Sequence, residues 1–193
     1  MLDGISARKI AILEARSLLN SDFIIVDTET TGLDIDAVAI EIAAINGDGA
    51  ELINTLINPC VEIPAHVQEI NKISNDLVRH APSWADLHDG LMQIIAGRKI
   101  GIYNSEFDIR IIKQSALAAE CWIPAFKNTQ TVCVMSIYSK FVGEWDNKRG
   151  WWKRHKLTQA ALDCGVSAQG AHRALADTRM TLGVLKHIAG QEL

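Results

Sequence analysis

Acidic side chains in three short segments are the residues best suited to chemistry. Asp27 and Glu29 follow an apolar run at residues 23–26 and are separated by one threonine. Because side chains alternate in direction along a strand, both carboxylates are expected to point the same way. Two neighbouring carboxylates repel each other unless a cation lies between them, and hard divalent ions take oxygen ligands. This segment therefore predicts a divalent metal site, with a simple polar turn as the alternative.

Asp108 lies in the second segment, between a short apolar run at residues 99–103 and a predicted helix. Asn104 or Ser105 is expected to cap this helix, and an acid in its first turn suits the helix dipole. Capping alone is therefore one explanation for the acid. A functional role is the other, because Asp108 follows the end of a strand that is expected to neighbour the first.

His172 and Asp177 form the third segment and are five residues apart. Five residues of α-helix turn through about 500°, so two mid-helix side chains at this spacing would not face one site. We therefore expect His172 in the loop before the helix and Asp177 in an early turn. A histidine in that loop is either structural or a general base.

The three segments together resemble the signature of the DEDDh family of 3′→5′ exonucleases, within the ribonuclease H-like superfamily. The family pattern is D-x-E, then an Asp after N-x-x-F, then H-x-x-x-x-D, and all three parts are present in this order. A hairpin and connector within residues 38–83 also resemble those of DNA exonucleases in this family, and the resemblance covers residues 22–190. Two departures, Asn71-Lys72-Ile73 for His-Gly-Ile and Tyr103-Asn104 for His-Asn, affect the expected strand contacts rather than the metal ligands.

The resemblance implies a site that binds two divalent ions, Mg²⁺ or Mn²⁺, and releases nucleoside monophosphates from the 3′ end of a strand. The implied metal ligands and catalytic carboxylates are Asp27, Glu29, Asp108 and Asp177. His172 is the implied base that takes a proton from the attacking water. Thr30 and Leu33 are implied contacts of the terminal nucleotide, and Asn104 is a further candidate contact; ordinary turn and packing roles are the alternatives.

The nature of the substrate follows less directly from the sequence. Single-stranded DNA is favoured because the hairpin and connector resemble those of the DNA enzymes. An exoribonuclease that trims RNA ends shares every catalytic group and is one alternative, and a non-catalytic nucleic-acid-binding module of the same fold is another. A ribonuclease H-like endonuclease is disfavoured by the pair of His172 and Asp177.

A basic segment at residues 148–156 combines five Lys or Arg residues with Trp151 and Trp152 and contains no acid. It stands out because the net charge of the chain is −4. Cations with aromatic rings suit the binding of phosphates and the stacking of unpaired bases. Both tryptophans are therefore candidate substrate contacts, and packing of the two rings onto the domain is the alternative.

The pattern of apolar residues predicts an α/β fold of the ribonuclease H-like type: a five-stranded mixed sheet, antiparallel in its first three strands and then parallel, flanked by helices. The predicted strands are residues 23–27, 38–46, 51–58, 99–103 and 131–135. The predicted helices are residues 5–19, a helix beginning near Ser83, and residues 108–119, 136–142, 157–164 and 173–189. Ser6 is expected to cap the first helix, and residues 143–155 are expected to be irregular.

We expect residues 1–20 to be an N-terminal helical extension and residues 21–193 to be the exonuclease domain. The extension either packs on the domain or mediates a homodimer. A polymerase is a further candidate partner of the protein. With 193 residues, 48% of them apolar, no signal peptide and no membrane-length apolar run, the chain is expected to be a cytoplasmic protein. Its four cysteines are scattered and form no C-x-x-C pair, which argues against a zinc site.

Overall fold

The computed structural model describes residues 4–121 and 129–193, which contain a five-stranded sheet. Its strands are β1 (Phe23–Thr30), β2 (Ala39–Asn46), β3 (Glu51–Leu56), β4 (Lys99–Ile102) and β5 (Thr131–Cys133). They lie in the order β3-β2-β1-β4-β5, with β1 at the centre. β1, β2 and β3 pair antiparallel, while β4 is parallel to β1 and β5 is parallel to β4. The predicted mixed sheet is therefore confirmed. β1 extends to Thr30, three residues beyond its predicted end at Asp27, so Glu29 also lies within the strand.

Helices cover both faces of this sheet. They are α1 (Gly4–Leu19), α2 (Ala65–Asn71), α3 (Asn75–Val78), α4 (Trp84–Ile95), α5 (Ser105–Ala118), α6 (Val134–Val142), α7 (Leu157–Asp163) and α8 (Ala174–Ala189). Phe23 and Ile25 of β1 belong to a buried cluster with residues of α1, α6, α7 and α8. Ile24 and Val26 belong to a second cluster with residues of α4 and α5. The alternation of side chains along β1 thus divides the core into two layers.

The N-terminal helix α1 is part of the first layer. Its apolar face, which includes Ile12 and Leu18, is buried in the same cluster as Phe23 and Ile25. Arg16 donates to the carbonyl oxygens of Ala189 and Gln191, both at 2.8 Å. Of the two expected roles for this helix, packing on the domain is therefore the one that the structure describes. Ser6 lies inside α1, so the prediction that Ser6 caps this helix is wrong.

Several short elements differ from the predicted ones. Residues 143–155, expected to be irregular, contain a two-stranded ribbon of β6 (Trp145–Asp146) and β7 (Trp151–Trp152). α2 and α3 lie in the connector, where no helix was predicted. β5 ends at Cys133 rather than at residue 135 because the next residues begin α6. No helix among the described residues is long and apolar enough to span a membrane.

Candidate active site

The central strand brings two of the predicted acids to one side of the sheet. Asp27 and Glu29 continue the alternation of Phe23 and Ile25 and so face the layer that contains α8. Asp177 approaches from the first turn of α8. Carboxylate oxygens of Asp27, Glu29 and Asp177 all lie within 4.8 Å of one another. This group can therefore share a single cation.

Asp108 reaches the same end of β1 from the other layer. The backbone pairing of β1 with β4 ends at Ile25. Beyond that residue, the Asp108 carboxylate accepts hydrogen bonds from β1. Its Oδ1 accepts from the Thr28 backbone N–H at 3.0 Å and from Thr28 Oγ1 at 2.8 Å. Asn104 occupies the N-cap position of α5, but its side chain makes no capping hydrogen bond, so the predicted side-chain cap is wrong there. Asp108 is instead fixed by the strand.

His172 lies in the loop before α8, as its spacing from Asp177 predicts. Its backbone is left-handed, with φ of 66°. Its N–H donates to Asp177 Oδ1 at 3.3 Å, and its side chain is exposed. This backbone conformation is costly for a residue with a Cβ, so the surrounding contacts must hold it in place.

Glu41 on β2 is a residue near the site that the sequence analysis missed. It pairs directly with Glu29 in the sheet register and is buried. Its carboxylate accepts from the Arg173 side chain and from the Ala174 backbone N–H. The available signal was a single acid in the otherwise apolar strand Ala39–Asn46, since a buried charge needs partners.

Burial and mutual repulsion raise the pKa values of the four predicted metal ligands. Burial is the largest cause for each of them. The pKa of Asp27 lies well above its usual value, with Asp108, Asp177 and Glu29 adding repulsion. The pKa of Glu29 is raised to about 8, although Arg173 partly opposes this shift. The pKa of Asp108 is raised to about 7 against the hydrogen bonds from Thr28, and that of Asp177 to about 6 against the hydrogen bond from His172.

The acidic cluster formed by Asp27, Glu29, Asp108 and Asp177 therefore holds more carboxylates than a buried site can keep ionised without a cation. Deprotonating all four carboxylates requires a compensating cation close by. The donor atoms are carboxylate oxygens only, which suits hard divalent ions such as Mg²⁺ or Mn²⁺ better than zinc. The residues present therefore fit divalent metal ions.

A cavity of about 450 Å³ opens beside Glu29. Its lining contains Thr30 and Leu33, the two predicted contacts of a terminal nucleotide, and also residues that were not predicted to bind substrate: His66, Val67, Ile70, Asn71 and Phe107. Leu33 is 77% exposed. Its loop is held by Arg110, which donates to the carbonyl oxygens of Leu33 and Asp34. The volume and the largely apolar lining suit a single nucleotide.

The other three predicted contacts lie outside the lining of this cavity. Asn104 is beside Asp108 at the start of α5. Trp151 is 48% exposed, and the Arg154 guanidinium lies 5.7 Å from its ring centroid. Trp152 is half-buried, and its ring packs edge-on against Trp145 with centroids 5.0 Å apart. The structure thus separates the two tryptophans into one exposed ring and one packed ring.

The residues that follow the ribbon contact the region where β4 ends and α5 begins. Arg154 forms an ion pair with Glu106, in the first turn of α5, at 3.5 Å. Tyr103, directly after β4, donates its hydroxyl to the His155 carbonyl oxygen at 3.0 Å. The end of the basic segment therefore lies at the start of α5, the helix that carries Asp108.

Comparison with known proteins agrees with this geometry. The RNase_T exonuclease family profile matches residues 24–185. The chain belongs to this exonuclease family. An uncharacterised exonuclease of Escherichia phage 186 is 40% identical to it over 182 residues, which cover 91% of this chain and 92% of the phage protein. The DNA polymerase III subunit epsilon of Treponema pallidum is 27% identical over 160 residues, covering 81% of this chain and 71% of that subunit.

Solved structures show the same fold. Exonuclease X in complex with 5′-overhanging duplex DNA superimposes with a TM-score of 0.63 and 21% identity, over 86% of this exonuclease and 90% of exonuclease X. The resemblance to DEDDh-type enzymes is therefore confirmed, and the chain is a hydrolytic nuclease.

Proposed function

We propose that this exonuclease degrades a nucleic-acid strand from its 3′ end and releases nucleoside monophosphates, with two divalent ions bound by Asp27, Glu29, Asp108 and Asp177. The observation that carries the proposal is the convergence of Asp27, Glu29 and Asp177 oxygens within 4.8 Å of one another, with Glu29 also lining a cavity of about 450 Å³. The direction of digestion follows the family resemblance of the three motifs.

The four carboxylates would hold Mg²⁺ or Mn²⁺ at the end of β1. When bound there, two such ions would supply stabilisation of the negative charge on the attacking and leaving oxygens of a phosphodiester. His172, exposed at the rim and linked through its backbone to Asp177, takes the proton of the attacking water. Thr28 favours the deprotonated form of Asp108 by donating two hydrogen bonds to one oxygen, which opposes the effect of burial.

The terminal nucleotide occupies the cavity beside Glu29. Its lining includes Thr30, Leu33 and, from α5, Phe107. The Phe107 ring packs against the second buried cluster and also lines the cavity. Asn104, at the N-cap position of the helix that carries Asp108, is a further proposed contact of the substrate, because its side chain makes no capping hydrogen bond.

Single-stranded DNA is the proposed substrate. The ribbon supports this choice, because Trp151 offers an exposed ring for an unpaired base and Arg154 lies over that ring. The relatives also support it, since the subunit from Treponema pallidum is named for a DNA polymerase. RNA of the same sequence is the direct competitor in the test.

The test uses 5′-labelled single-stranded DNA and RNA of equal sequence, incubated with Mg²⁺, Mn²⁺ or EDTA and resolved on a gel. A ladder that shortens stepwise with either ion and disappears with EDTA is expected, faster on DNA. Immediate loss of the 5′ label as a mononucleotide would overturn the 3′→5′ direction. Absence of cleavage by a folded protein would overturn the proposed activity, and a faster RNA ladder would overturn the substrate.

A further inference from the structure

We propose that Glu41 and Arg173 are positioning residues, which hold the segment from His172 to Asp177 against the carboxylates of β1. The proposal rests on the proposed function of that site. Neither residue belongs to the predicted catalytic set, and Arg173 lies between His172 and the first residue of α8.

Glu41 makes contacts that bind the start of α8 to the sheet. Its side chain is 3% exposed. It accepts from Arg173 Nε at 3.1 Å, from Arg173 Nη2 at 2.6 Å and from the Ala174 N–H at 2.9 Å. Burying a charged carboxylate costs free energy unless it is paired and hydrogen-bonded, and both Glu41 oxygens accept hydrogen bonds here.

The contact with Ala174 makes Glu41 the cap of α8. Arg173 occupies the N-cap position, but its own side chain makes no capping hydrogen bond. A carboxylate at a helix N-terminus satisfies a free N–H and interacts well with the helix dipole. Because Glu41 sits on β2 directly opposite Glu29, this cap fixes the helix relative to the acidic strand.

The two groups of interest lie on either side of this anchor. His172 precedes Arg173 and is left-handed, and Asp177 follows within the first turn of α8. The His172 N–H donates to Asp177, so the segment folds back on itself around the anchor. A planar, bidentate guanidinium defines the geometry of such a contact better than a flexible ammonium. Loss of either partner is therefore expected to displace the proposed base and the proposed ligand together.

The same helix contains a matched control. Arg179 of α8 forms an ion pair with Glu51 of β3 at 2.7 Å, and both side chains are substantially exposed. This pair also joins α8 to the sheet but lies away from His172. A general effect of helix-to-sheet ion pairs would appear in Arg179→Met, whereas a positioning effect would not.

The experiment compares Glu41→Gln, Arg173→Met, the double variant and Arg179→Met with the wild-type chain. Amide hydrogen exchange over residues 172–177 is measured in metal-free protein, and kcat and KM are measured on single-stranded DNA. Both single variants are expected to exchange faster there and to lose roughly 10- to 100-fold in kcat, the effect of a small misplacement, with KM unchanged. The double variant is expected to be no worse than either single one, because the two residues act as a unit.

The signs of the changes in kcat distinguish a positioning role of the two residues from a purely electrostatic one. Glu41→Gln removes a negative charge near the acidic cluster and Arg173→Met removes a positive one, so a purely electrostatic effect would have opposite signs. The proposal would be overturned by changes in kcat of opposite sign or by losses in kcat that add in the double variant. It would also be overturned by a raised KM in Arg173→Met alone, or by unchanged exchange and kcat. If the wild-type chain does not cleave, the proposed function fails, whereas the exchange data still decide whether the pair holds the segment.

Discussion

His172 is the residue whose proposed role can be separated most cleanly from metal binding. His172→Ala should reduce cleavage by roughly 10²- to 10⁴-fold, the usual contribution of a general base. Binding of Mn²⁺ should persist, because all four carboxylates remain. Single-turnover cleavage and Mn²⁺ titration measure the two effects, with the exposed His80→Ala as control. An unchanged rate would remove His172 as the base.

Individual site residues differ in how far the sequence could predict them. Strand alternation alone placed Asp27 and Glu29 on one side, and the structure has them there. Asp108 and Asp177 could be assigned to the site only from the order of the three motifs. Each lies in the first turn of a helix, where an acid is expected for its interaction with the helix dipole alone. Glu41 was missed because its partners, Arg173 and Ala174, are more than 130 residues away in the chain. Pairing at that separation is not encoded in local periodicity.

At the scale of elements, α1 is integral to the core. Ile12 is fully buried, whereas Ile5 on the same helix is 72% exposed. Ile12→Ala should lower the free energy of unfolding by about 2–5 kcal/mol, because it leaves a cavity in the first layer. Ile5→Ala should change it by less than about 0.5 kcal/mol. Denaturant unfolding measures both, and equal effects would contradict the packing described for α1.

The two tryptophans of the ribbon are expected to differ in what their substitution changes, DNA binding or thermal stability. Trp151→Ala should weaken binding of single-stranded DNA by about 1–3 kcal/mol without lowering Tm, because an exposed stacking ring is lost. Trp152→Ala should lower Tm instead, because its ring packs against Trp145. Fluorescence-anisotropy titration and thermal melting distinguish them. Undiminished DNA affinity in Trp151→Ala would make that ring a surface residue without a substrate role.

Long elements with a strong apolar period were predicted well, and short ones were not. β2 and α8 agree with their predicted bounds to within one residue. The two-residue strands of the ribbon are too short for any periodicity, and their pairing depends on contact between Trp145 and Trp152. α2 and α3 span seven and four residues, about two turns and one turn. Such elements are stabilised by tertiary packing rather than by local pattern.

For the whole molecule, the acidic cluster should make metal-free stability depend on pH. The folded-state pKa values of Asp177, Asp108 and Glu29, at about 6, 7 and 8, lie above those of an unfolded chain. Between about pH 4 and pH 8 the folded state therefore binds more protons, so the free energy of unfolding falls as pH rises. Thermal melting in EDTA should show Tm decreasing over this range.

Divalent ions should reverse this trend. They bind the deprotonated cluster in the folded state, so Mn²⁺ should raise Tm most at the alkaline end of the range. The same melts repeated with Mn²⁺ measure the effect. A Tm in EDTA that increases with pH, or one that Mn²⁺ leaves unchanged at pH 8, would contradict the charge balance described for the site.

The most direct test of the central claim is Asp27→Asn, which removes one charge at the centre of the cluster and preserves side-chain shape. We predict that this variant melts at a higher temperature than the wild-type chain in EDTA at pH 8, because repulsion is relieved. With Mg²⁺ or Mn²⁺, the wild-type chain should release nucleoside monophosphates from the 3′ end of single-stranded DNA and the variant should release none. Cleavage by the variant at the wild-type rate would show that hydrolysis does not take place at this cluster.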